Sequence, residues 1–334
     1  MITFFATTLV TFLIINYFLG YGILPSLFAG TVLGSISPAV IVPIIKMLNV
    51  SDKAKSMLVV ESAITDVLSI IVSLGIIGAI TSNQNTFLGF IGMEIIARMI
   101  CSILLGFAAA ILWSAILEKV RQFPNNIFTS LAYLFILYGL CEELAWNGPL
   151  CILIFGLILA NAKQIPLSIL KGFGTNKLAE FSALEKTLFS EVIFIVKTFF
   201  FIYLGISIEF GNIGYLFIGL IITIAIYIIR LFITRFVIAD DFTFRSAKLI
   251  SFIIPKGLAA AVLAEYPVHL IGTINTLTDI EKQNLIPIFE HLRTIVYSVV
   301  LFSIILSAIL IIFENNLTLN KMYKKILPFE DEAS

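Results

Sequence analysis

Charge is what this 334-residue sequence has least of: 13% of its residues are Asp, Glu, Lys or Arg, against 60% that are hydrophobic. A soluble domain carries about 25% charged residues, so a globule surrounded by water is excluded. Histidine is almost absent, with His269 and His291 alone, and the three cysteines are Cys101, Cys141 and Cys151. The cysteines fall in or at the ends of apolar runs with no paired spacing, which speaks against a disulfide framework or a zinc site. No nucleophile–base or metal-ligand spacing is present either. Neither an enzyme nor a cofactor is expected. No cleavable signal pattern opens the chain, and the polar stretches, the longest at 161–184 and 272–287, are too short for a soluble domain.

What the sequence has instead is apolar length, with a mean hydropathy of +1.07. At about 20 apolar residues per crossing of a hydrocarbon core, it reads as an all-α polytopic membrane protein of about ten spans. These lie at 3–19, 23–48, 54–80, 87–118, 125–142, 147–162, 184–209, 212–238, 245–266 and 289–315. Of the 21 Lys and Arg, four lie within spans (Arg98, Lys197, Arg230, Lys256) and two, Lys282 and Arg293, fall on one side. The other fifteen share the side of both termini. By the bias of basic loops toward the cytoplasm, both termini are expected to be cytoplasmic. Residues 316–334 form a short tail on that side.

Two spans carry a central interruption, Ser35-Ile36-Ser37-Pro38 in the second and Pro255-Lys256-Gly257 in the ninth. Proline at such a position breaks a helix or kinks it. The two spans enter from opposite sides, the layout of an inverted repeat whose broken helices cross near the midplane. Counted from the span ends, Ser37, Asp66 and Lys256 share one level, while Glu61 and Arg230 meet one layer closer to the cytoplasm. Charges at such depth need partners, so Glu61 and Arg230 are expected to pair. Glu61 and Asp66, five apart, diverge by about 140° on a helix. The economical assignment puts Glu61 and Thr65 with Arg230, and Ser62 and Asp66 toward the break at Ser37. Oxygen ligands from Asp66, Ser62, Thr65 and Ser37 suit a hard cation such as Na⁺ or Li⁺, and the same carboxylate can take a proton when the ion leaves. The plainer reading of Asp66 is an acid paired with Lys256 or bonded to a hydroxyl. Glu94 and Arg98, i and i+4 on the long fourth span, are expected to pair with each other.

At these residues the chain resembles the monovalent cation/proton antiporter superfamily, in the branch of NhaP-type, Kef-type and NHA-type exchangers. Gly34-Ser35-Ile36-Ser37-Pro38-Ala39-Val40-Ile41-Val42-Pro43 looks like that family's unwound-helix motif. Glu61-Ser62-Ala63-Ile64-Thr65-Asp66 is similar to its Glu-Ser-x-x-Asn-Asp signature, with Thr65 in place of the Asn or Asp. Arg230 matches its buried basic residue, and Pro255-Lys256-Gly257-Leu258-Ala259-Ala260-Ala261-Val262 resembles its second crossing helix. The resemblance implies an inverted-repeat antiporter fold and exchange of Na⁺ (or Li⁺ or K⁺) for H⁺ at Asp66, with Na⁺ held by Asp66, Ser62 and Ser37. Glu61, Arg230 and Lys256 would form the supporting charge network. It also implies a homodimer in the cell membrane. Core helices, about 23–80 and 212–315, would carry the ion against connector and scaffold helices at about 87–162. Members of the family usually have 12 or 13 spans, so the ten here are short by the first three. A Na⁺-coupled solute symporter of the same architecture, or a subunit that binds without transporting, are the alternatives. The single carboxylate at the Thr65-Asp66 pair leads to the expectation of electroneutral, one-for-one exchange.

Overall fold

The structure, a computed structural model, describes residues 1–48, 51–81, 90–120, 128–144, 146–161, 182–208, 212–237, 242–273, 277–327 and 329. Among them there are helices and no strand. In chain order these are α1 (Ile2–Leu19), α2 (Ile23–Gly34), α3 (Pro38–Met47), α4 (Asp52–Thr81), α5 (Phe90–Val120), α6 (Thr129–Glu143) and α7 (Gly148–Ala160). There follow α8 (Ala183–Ser207), α9 (Ile213–Val237), α10 (Phe244–Phe252), α11 (Leu258–Thr273), α12 (Asp279–Ile312) and α13 (Leu317–Ile326). With no water in a hydrocarbon core, a helix is the form that satisfies each backbone group within its own segment.

Seven segments among the described residues are long and apolar enough to cross a membrane: Ile2–Leu19, Ile23–Met47, Asp52–Thr81, Ala97–Leu117, Ala183–Ser207, Ile213–Val237 and Asp279–Ile312. The other three expected spans differ for two reasons. Helix α6 has 15 residues and α7 has 13, so at 1.5 Å per residue each is only about 20 Å long. The ninth is divided between α10 and α11. Both central interruptions are true breaks. Helix α2 ends at Gly34, Ser35 and Ser37 are extended, and α3 restarts with Pro38 in its first turn, where a missing N–H costs nothing. Helix α10 ends at Phe252, residues 253–257 are non-helical, and α11 begins at Leu258.

The chain divides into two compact units, Met1–Asn85 with Phe199–Ser334, and Thr86–Thr198. In the larger unit α1 lies along α2 at close range: a Cβ on Gly30 would stand 2.5 Å from the Thr8 carbonyl oxygen. Gly219 on α9 meets Ser298 on α12 in the same way, at 2.6 Å. Small residues at contacts are how helices in lipid approach closely enough for dispersion to hold them. Phe28 on α2 meets Phe289 on α12 edge-on, centroids 5.4 Å apart, within an apolar cluster that includes Val32, Leu33, Ile253 and Ile254. In the smaller unit Trp113 on α5 stacks on Tyr133 of α6 at 4.3 Å and donates to Ser130 at 3.2 Å. Gly106 admits the backbone of Cys151 on α7. The Glu94 side chain and residues 162–181 lie outside the described residues.

Candidate functional site: the crossing of two broken helices

A helix break leaves donors and acceptors without intrahelical partners, and in a membrane interior each must be met by protein. At the α2–α3 break the Ser37 N–H donates to the Pro255 carbonyl at 2.9 Å, so the two breaks are hydrogen-bonded to one another. The Ile36 N–H donates to Thr65 Oγ1 on α4 at 3.2 Å, and the Ser35 carbonyl accepts Lys256 Nζ at 2.8 Å. Across the second break, the Lys256 N–H donates to Ser303 Oγ at 2.9 Å and Ser307 Oγ donates to the Phe252 carbonyl at 3.1 Å. Gly257 touches the Ser37 side chain so closely that a Cβ there would overlap the hydroxyl. Residue 257 must therefore lack a side chain for the crossing to close.

Asp66 on α4 stands beside this crossing. The Ser35 hydroxyl, which donates to the Val32 carbonyl at 3.3 Å, and the Lys256 ammonium are both near enough to act on its charge. Its Oδ1 is buried with no hydrogen-bond partner among the described residues. Nearly all buried polar atoms in folded proteins have a partner, so this oxygen is an acceptor left available. Lys256 is fully buried, its charge set among Arg230, Glu61 and Asp66.

One turn away the charges are closed off. Glu61 and Arg230 form a bidentate pair, Arg230 Nη1 to Glu61 Oε1 and Nη2 to Oε2, the latter at 2.7 Å. Thr3 Oγ1 on α1 donates to Glu61 Oε1 at 2.8 Å and accepts from Arg230 Nη1 at 2.8 Å. Arg230 Nε donates to the Ile250 carbonyl at 3.2 Å. The pair thus fastens α1, α4, α9 and α10. A cavity of about 650 Å³, walled by Ile2, Met57, Val60, Ile233 and Phe242, opens beside it.

The structure brings Ser37, Asp66 and Lys256, placed at one depth by the sequence, to one crossing, adds Thr65 to it, and joins Glu61 to Arg230. It separates Thr65 from Arg230. The helical wheel puts Thr65 on the Glu61 side, but its hydroxyl accepts from Ile36 N and donates to the Ser62 carbonyl at 3.2 Å. Ser62 is buried on α4 and donates to the Val59 carbonyl at 2.9 Å, which occupies its proton and leaves its lone pairs. Three partners escaped the sequence reading: Thr3, Ser303 and Ser307. Ser303 and Ser307 are i and i+4 on an otherwise apolar stretch of α12, a hydroxyl stripe visible in the sequence that marks where α10 and the second break rest.

A solved structure, that of the sodium proton antiporter MjNhaP1 from Methanocaldococcus jannaschii at pH 8, has the same fold with a TM-score of 0.72. The likeness covers 95% of this chain and 77% of that one at 17% sequence identity. The family described as "Sodium/hydrogen exchanger, transmembrane" matches residues 1–313. A match over nearly the whole length, through both breaks and the charges between them, shows that the chain belongs to the transmembrane sodium/hydrogen exchanger family.

Proposed function

We propose that this chain exchanges Na⁺ for H⁺ by alternating access, with Asp66 binding cation and proton by turns, and that Li⁺ or K⁺ can take the place of Na⁺. The observation that carries the reading is the buried Oδ1 of Asp66 beside the crossing, which has no hydrogen-bond partner among the described residues. A carboxylate at this depth is costly unless it has work to do there. Hydroxyls of Ser35 and Ser37 and carbonyls freed at the breaks complete a set of oxygen ligands suited to a hard cation. Thr65 holds α4 to the first break through the Ile36 N–H, and Ser62, one turn from Asp66, offers its lone pairs to the cation. Helices within 23–80 and 212–315 carry the ion and those within 87–162 serve as scaffold, in a homodimer of the cell membrane with both termini cytoplasmic. The test is cation-driven proton flux in proteoliposomes. Asp66→Asn is expected to abolish Na⁺-, Li⁺- and K⁺-driven flux in a folded protein, and normal flux from that variant would overturn the reading.

Exchange is one cation for one proton. Asp66 carries one charge in either form of traffic, and Arg230 cannot release a proton at usable pH. Lys256 holds its proton against the Ser35 carbonyl with the Asp66 carboxylate nearby. With the membrane potential clamped by K⁺ and valinomycin, the equilibrium Na⁺ distribution is expected to follow the pH gradient alone. A distribution that shifts with the imposed potential would refute this stoichiometry, and Lys256→Gln would then identify the source of the extra proton.

A further inference from the structure

Helix α13 has two faces. At about 100° per residue, Asn320, Tyr323 and, just past its end, Leu327 project to one side, and Leu317, Lys321, Met322 and Lys325 to the other. The first face grips α10, the half-helix that leads into the second break. Asn320 Oδ1 accepts from the buried Lys248 Nζ at 2.7 Å, and the same ammonium reaches the Glu314 carbonyl at 2.9 Å. Tyr323 meets Phe252, the last residue of α10, edge-on at 4.9 Å. Leu327 is buried with Phe244 and Ala247.

The second face is open. Leu317 is 79% exposed and Met322 59%, and Lys321 and Lys325 between them are exposed as well. Helix α12, long and apolar enough to cross the membrane, ends at Ile312, so α13 begins where the chain leaves the bilayer. Water disfavours Leu317 and Met322, and hydrocarbon disfavours the lysines. The headgroup layer accommodates both, since the apolar side chains can reach the acyl boundary while the lysine ammoniums stay among the headgroups. The lysines at the centre of the face complement anionic headgroups. We propose that this face of α13 docks on an anionic bilayer surface, and that the docked helix braces α10 and, through it, the crossing.

The test is amide hydrogen exchange of the full chain in nanodiscs of phosphatidylcholine with and without phosphatidylglycerol. Exchange in α13 is expected to slow severalfold when the anionic lipid is present, and exchange in α10 to slow with it. The variant Lys321→Gln/Lys325→Gln, on exposed positions, is expected to melt as the native chain does and to lose that slowing. Equal exchange in the two lipids, or full slowing in the variant, would overturn the proposal; a response confined to α13 would overturn the brace. No ion movement is measured, so the outcome is independent of the exchange reading.

Discussion

Glu61 and Asp66 share α4, a membrane interior and a negative charge, and the structure treats them in opposite ways. Both Glu61 oxygens are engaged by Arg230 and Thr3, and its side chain is 9% exposed. Asp66 keeps an oxygen that nothing among the described residues engages. A fully engaged charge has no capacity left for a ligand, whereas an acceptor held open at depth does. The difference separates a fastening from a binding group more surely than depth or residue type, which the two acids have in common.

The most severe way to break this comparison is to neutralise each acid in turn. Asp66→Asn is expected to remove transport and to cost less stability than Glu61→Gln, since among the described residues Asp66 is in no salt bridge and acts on Lys256 only through its charge. Glu61→Gln is expected to do the reverse in order, losing stability first. A folded Asp66→Asn chain that still exchanges ions, measured as proteoliposome flux beside its melting curve, would erase the distinction. Next in size is the pair itself. Removing one partner of a buried ion pair costs about 3–5 kcal/mol because the other charge is stranded. Glu61→Gln or Arg230→Ala should each lose that much in denaturation, and the double variant should regain part of it. Additive losses in the double-mutant cycle would show that the contact contributes nothing.

A smaller effect tests the other side of the comparison. Gly257→Ala forces a methyl group against Ser37, and overpacking of this kind costs about 1–3 kcal/mol. Flux is expected to fall with it, and Ser37→Gly in the same chain to restore stability but not flux, since it also removes a hydroxyl ligand; no recovery of stability would mean that the crossing is not where the strain falls. The smallest expected effect is Thr3→Val. It removes one hydroxyl from the Glu61–Arg230 pair and should lower stability by about 1 kcal/mol, with flux per folded protein unchanged. A loss of flux without a loss of stability would move Thr3 from the fastening to the transport path.

Much of this was legible in the sequence because a membrane interior tolerates few exceptions. Pro38 and Pro255-Lys256-Gly257 interrupt apolar runs, and both interruptions are breaks. Glu61 and Arg230 are charges at one depth, and they pair. Side-chain direction was less legible. A wheel drawn for a lone helix assigns Thr65 by angle, but the Ile36 N–H, left unmet in the break after α2, captures its hydroxyl. Thr3 was hidden because the first apolar run begins at it, although Thr3, Thr7 and Thr11 recur at helical spacing and all three are buried. Span counting from hydropathy treats α6 and α7 as full crossings, since it registers apolarity better than where a helix stops.

The Ser37–Pro255 hydrogen bond makes one backbone proton a timekeeper. Pro255 has no N–H, so the bond runs one way, and the Ser37 amide can meet solvent deuterium only when the two segments of the crossing part. Its exchange rate, read at single-residue resolution, would report how often they separate and, from the protection it shows, the free energy that holds them together.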